Sequence, residues 1–289
     1  MSTEKKNEIA LIKKDTVDVV ADRVRKFQEK GELHFPANYS PENAMKAAWL
    51  SIQETVDRNQ KPALEVCTRD SIANALLNMV VQGLNPVKKQ CYFIVYGNKL
   101  TLQRSYFGAM HIAKTVDPNI ADIVAEVIYE GQTFKYAKKN GHNYIVEHQM
   151  QLGDDKKPIV GAYCQVLYKD GTESATVMSI DEIMSAWTKS PTHPIDQNGE
   201  LKATSTHAQF TGEMAKKTVI NRACKSIINS SGDDSLLIEA FRQTDADIAE
   251  AEAQEEIEAN ANTIIIEDFN ESKDDAAQLP GNVPADDLP

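Results

Sequence analysis

Nowhere in this 289-residue chain do 18 apolar residues follow one another, so the sequence offers no helix able to span a bilayer. The opening segment, Met1–Ile9, is polar and charged and lacks the apolar stretch of a secretion signal, which makes a cytoplasmic protein the expectation. Cysteine is scarce. Cys67, Cys91, Cys164 and Cys224 stand far apart without a CxxC pair, which speaks against a zinc site and a disulfide framework and for four thiols in or near a core. The signatures of nucleotide and hydrolytic chemistry are missing as well: no GxxxxGKS or GxxxxGKT loop, no GxGxxG, no HExxH and no GxSxG. An ATP-driven machine needs a phosphate cradle, so that class is set aside. The six histidines are scattered rather than spaced as metal ligands, and no catalytic residue or metal site is expected.

One further absence is informative. Between Asp70 and Asp117 there is no carboxylate over 46 residues, although more than one residue in seven of the whole chain is acidic. The same stretch holds Lys88, Lys89, Lys99, Arg104 and Lys114, with His111. A surface that follows a phosphate backbone needs positive charge and also needs nearby carboxylates removed. Burial explains the gap over Ile72–Val81, but explains it poorly over Pro86–Lys114. The formal net charge of −12 does not contradict this, because charge is segregated. Asp233–Pro289 carries 17 acidic and 2 basic residues, a net of −15, which leaves residues 1–232 with 26 acidic and 29 basic ones, a net of +3. Two regions are expected: a packed, mildly basic body over 1–232 and an acidic, largely disordered tail over 233–289, with helix over 234–258 and disorder over 271–289.

The body reads as mixed helix and strand. Val17, Val20, Val24 and Phe27 form one stripe before Gly31. Ser40 is a natural N-cap with Pro41 in the first helical position, and Met45, Trp49, Ile52 and Val56 mark the buried face. A second helix begins near Thr68–Ser71, turns Ile72, Leu76, Met79 and Val80 inward, and stops at Gly83. Cys91–Tyr96, Gly97-Asn98 and Leu100–Arg104 spell a β-hairpin. Strands are expected at Val124–Tyr129, Tyr144–Met150, Ile159–Tyr168 and Glu173–Met178, then a short helix at Asp181–Trp187 and a long one from His207 to Asn229.

Aromatic residues interleave the basic ones: Tyr92, Phe93, Tyr96, Tyr106 and Phe107. Bases can stack on such rings, although rings are also ordinary strand and core residues. Tyr106, next to Arg104 in its basic stretch, is the strongest stacking candidate. On the long helix, with Phe210 at 0° and roughly 100° per residue, Met214, Ile220, Cys224, Ile227 and Ile228 share an arc that also takes in Lys217 and Asn221. Either these two reach through to phosphate, or Lys217 snorkels and Asn221 bonds a neighbouring backbone.

The runs Gly83-Leu84-Asn85-Pro86, Gln90-Cys91-Tyr92-Phe93, Tyr96-Gly97-Asn98-Lys99, Leu102-Gln103 and Tyr106-Phe107-Gly108 resemble the RecT family of phage single-strand annealing proteins. Glu213-Met214-Ala215-Lys216-Lys217-Thr218-Val219-Ile220 with Arg222 is similar to its second signature block, and Asn221 stands where many relatives carry a second basic residue. The resemblance spans about residues 40–230. It implies an α+β fold similar to the lambda Beta protein, a small antiparallel sheet with a hairpin packed by helices. It also implies ATP-independent binding of single-stranded DNA and the annealed duplex, rings or helical filaments, and work beside a phage 5′→3′ exonuclease and the host single-strand binding protein. No cofactor is implied, with Mg2+ at most a modulator. The expected DNA contacts are Lys99, Gln103, Arg104, Tyr106, Lys114, His207, Lys216, Lys217, Asn221 and Arg222, lining one groove. A strand-protecting protein that does not anneal shares every binding feature, and a metal-dependent nuclease is a more distant alternative.

Overall fold

In the computed structural model, which describes residues 3–190, 193–231 and 236–250, helices pack over two antiparallel sheets around one hydrophobic core. Helix α1 (Thr3–Glu29) turns Val20 and Val24 inward, with Val17 and Phe27 partly buried beside them. Helix α2 (Pro41–Glu54) begins where its cap predicts: Ser40 Oγ accepts the Asn43 N–H at 3.2 Å. Met45, Trp49 and Ile52 are buried, whereas Val56 falls beyond the helix end, exposed in a bridge with Pro62. A short helix, α3 (Ala63–Val66), leads to α4 (Arg69–Val81) with Thr68 as its cap. Gly83, at φ 65°, ends α4 in a left-handed turn: its N–H bonds Val80 O, and Leu84 N–H bonds Met79 O.

A single 3-10 turn over Pro86–Lys88 feeds β1 (Cys91–Tyr96), which reverses at Gly97-Asn98 and returns as β2 (Lys99–Arg104). Pairing runs from Cys91↔Arg104 to Tyr96↔Lys99. Alternation therefore puts Tyr92, Ile94, Tyr96, Lys99, Thr101 and Gln103 on one face, and Cys91, Phe93, Val95, Leu100, Leu102 and Arg104 on the other. Ser105 caps α5 (Tyr106–Val116) by accepting Gly108 N–H, and its hydroxyl donates to Lys89 O at 2.6 Å, tying the helix start to the hairpin's entry.

The larger sheet comprises β3 (Ile120–Tyr129), β4 (Thr133–Lys139), β5 (His142–Gln149), β6 (Ile159–Tyr168) and β7 (Glu173–Ser179) in the order β3-β6-β7-β5-β4. β5 meets β7 through one register pair, Asn143↔Ala175, and Phe134 of β4 stacks on Tyr163 of β6 with ring centroids 5.3 Å apart. Helix α6 (Ile180–Trp187), a short α7 (Thr206–Gln209) and α8 (Thr211–Ser230) follow, and α8 lies across β6, β3 and α5. The last helix among the described residues, α9, runs through 236–250. Among the described residues no helix is long and apolar enough to cross a membrane.

The fold class is the expected α+β, with three differences. The sheet has a fifth strand, β4, that the sequence did not announce. The expected long helix is broken at Phe210, whose φ of −132° and ψ of 49° leave the helical region and separate α7 from α8. The packed body also runs past 232: Ile238, Ala240, Phe241 and Thr244 of α9 are buried. The expected boundary fell early because acidic composition masked an apolar spacing of three to four residues in Leu237, Ile238 and Phe241. The disorder expected over 271–289 lies outside the described residues.

Candidate nucleic-acid interface

The carboxylate-free segment folds as one continuous unit, from the body of α4 through the hairpin to α5. Its outward side carries rings. Tyr92 is 50% exposed and Phe107 43%, and half-buried Tyr106 lies against Phe107 with centroids 4.1 Å apart. Gln103 pairs with Tyr92 across the hairpin on the same face. Helix α8 passes this patch. Burial raises the Tyr106 hydroxyl's pKa, Glu213 raises it further and Lys216 opposes the rise. Lys216 is held charged by its pair with Glu213 at 2.6 Å. Tyr92 and Gln103 share one face of the hairpin, Tyr106 and Phe107 pair at the start of α5, and Lys216 lies on α8, which packs against α5.

Lys217 is exposed and has no ion pair with a carboxylate among the described residues. The buried residues of α8 are Ala215, Val219, Ile220, Ala223, Cys224 and Ile228, a broad face at whose border Lys217, three residues before Ile220 and seven before Cys224, stays exposed. The sequence-based arc left out the alanines and Val219 and was rotated by their omission. Half-buried Asn221 lies one turn on from Lys217, and Arg222 faces α6, 3.7 Å from Glu182.

Four expected contacts are placed differently from an open cationic groove. Arg104 faces inward, its side chain 5% exposed. Its guanidinium lies 3.7 Å from the Phe241 ring centroid, donates to Gln82 Oε1 at 2.9 Å and to Asp245 Oδ1 at 2.5 Å, and burial lowers its pKa. Lys99 pairs with Glu250 at 3.1 Å. Lys114 pairs with Asp122 at 2.9 Å. His207 is buried against Trp187, rings edge to face at 4.8 Å, and burial with Lys217 nearby lowers its pKa, so it is a neutral wedge at pH 7 rather than a cation. Trp187 in turn donates its Nε1–H to Thr218 Oγ1 at 2.8 Å, locking α6 to α8.

Three partners escaped sequence reasoning: Gln82, Asp245 and Lys225, whose ammonium reaches Asp245 Oδ2 at 2.8 Å. A signal for Arg104 was present, since it alternates with Leu100 and Leu102 on the buried face of β2.

A model of the RecT family matches residues 42–263, from α2 through α9. The chain belongs to the RecT family. Membership implies single-stranded DNA annealing in recombination, and it draws α9 into the shared region along with the hairpin and α8. No curated protein matches the chain. Among the described residues of this RecT-family protein, no three His, Cys, Asp or Glu side chains gather as a group able to hold a metal ion.

Proposed function

We propose that this chain grips single-stranded DNA by its phosphates, without nucleotide hydrolysis, and holds the bases open for pairing with a second strand, as one unit of a ring or filament. The observation that supports this reading is that the 46-residue segment without a carboxylate folds into the element that carries the exposed rings of Tyr92 and Phe107. An annealing protein must leave the Watson–Crick edges free. Its affinity therefore has to come from the backbone and from base faces, which is what cations beside aromatic rings supply. In this reading Lys216, Lys217 and Arg222 neutralise phosphates, Gln103 and Asn221 donate hydrogen bonds, and Tyr106 with its neighbours offers stacking faces. His207 acts by packing. Lys99, Arg104 and Lys114 contribute once their carboxylate partners give way. Copies of the chain extend the surface along the strand. A phage 5′→3′ exonuclease would supply the single strand, and the host single-strand binding protein would be met on it, with Mg2+ only a modulator.

The test is to bind one oligonucleotide, add its complement without nucleotide or metal, and follow pairing. Pairing faster than the spontaneous rate is the expected outcome. Tight binding with no acceleration would replace annealing by strand protection.

A further inference from the structure

The contacts of α9 describe a site with an occupant already in it. One carboxylate, Asp245, places Oδ1 on the Arg104 guanidinium at 2.5 Å and Oδ2 on the Lys225 ammonium at 2.8 Å. A phosphodiester offers the same pattern: one negative charge shared by two oxygens, each able to accept from a cation. Arg104 does not depend on Asp245 for its position. Gln82 Oε1 accepts from its other nitrogen at 2.9 Å and the Phe241 ring lies beneath it. Gln82 is itself fixed, donating from Nε2 to Thr244 Oγ1 at 2.8 Å and to Ala240 O at 3.3 Å. The cation is therefore preorganised by neutral partners, and the anion is the exchangeable member.

The helix is divided along the same line. Ile238, Phe241 and Thr244 are buried and anchor it, whereas the Asp245 side chain is 32% exposed and that of Glu250, on Lys99, 69%. Rotation of the Asp245 side chain vacates the seat without moving the buried Phe241.

We propose that the seat of Asp245, formed by Arg104, Lys225 and Gln82, is a phosphate site for the DNA backbone, kept occupied by the carboxylate of α9 until a strand displaces it, with Glu250 covering Lys99 in the same manner. The proposal rests on the single-strand-binding reading above. It adds Lys225 to the DNA contacts, and it explains why Arg104 can be both buried and a binding residue. Asp245 and DNA then compete for one place, so each lowers the apparent affinity of the other.

The experiment measures binding of a fluorescent oligo-dT by the full chain and its variants, with thermal melts alongside. Asp245→Asn is expected to bind about fivefold tighter or more, at the low end of couplings between competing occupants. Lys225→Ala is expected to weaken binding in the parent and to cancel the gain from Asp245→Asn. If Asp245 served only to neutralise a buried arginine, Asp245→Asn would melt lower and bind no better. Glu250→Gln, at an exposed position, keeps the question answerable if Asp245→Asn does not fold, and it too is expected to bind tighter. Folded variants with unchanged or weaker binding overturn the phosphate seat and leave the function standing. A parent chain that does not bind oligo-dT at all overturns both.

Discussion

Lys217 and Arg104 show how much the surroundings of a single cation decide. Lys217 is exposed without a carboxylate partner among the described residues, so its charge is available to a strand at little desolvation cost. Lys217→Ala should weaken DNA binding alike on all sequences and flatten the plot of log affinity against log salt by about one unit, with the melting temperature unchanged. A folded variant with the parent's slope would take Lys217 off the phosphate list. Arg104 is the opposite case. Buried among Gln82, Phe241 and Asp245, it would leave a hole, Gln82 Oε1 without its donor and Asp245 with Lys225 alone if removed, so loss of binding in Arg104→Ala alone would not separate contact from collapse.

At the scale of elements, the interface depends on how α5 is seated. Gly108, in its first turn, lies so close to the turn before β1 that an added Cβ would run into the Gln90 carbonyl oxygen and the Arg104 side chain. Gly108→Ala should cost about 1–3 kcal/mol in denaturant unfolding, the range for overpacking a tight site. An unchanged midpoint would mean that α5 shifts freely, which the Ser105–Lys89 tie argues against. The hairpin, the α4 stop at Gly83 and the Ser40 and Ser105 caps were all legible from local chemistry, because turns and caps are decided by a few neighbouring atoms. β4 was not, because Thr133–Lys139 carries three lysines and packs only Phe134 and Ala137 inward. The helix of α9 falls within the one expected over 234–258, but its docking was hidden: its buried residues sit in acidic sequence, and its partners Gln82 and Arg104 lie some 140 to 160 residues earlier in the chain. Of the candidate site, the sequence disclosed the aromatic and basic residues but not their pairing, since ion pairs across such distances leave no local trace.

For the whole molecule, the histidines set a pH dependence. Burial holds His111, His148 and His207 below the ordinary 6.5. The fold keeps these rings neutral, while the unfolded chain takes up protons near 6.5, so their contribution is complete above that value and is lost as pH falls through it toward the lower folded values. The melting temperature should therefore drop between pH 7.5 and 5.5. A flat profile would mean that these rings protonate in place, including His148 in its bonds to Tyr163 and Gln132.

The strand that reads least like one has an architectural consequence. β4 forms one border of the larger sheet, where backbone groups face outward with no further strand among the described residues to pair them. Any extended segment that met a smooth apolar border there could continue the ladder without limit. Lys135, Lys138 and Lys139 make that border charged and costly to desolvate, so the sequence feature that conceals β4 is also what tells the sheet where to stop growing.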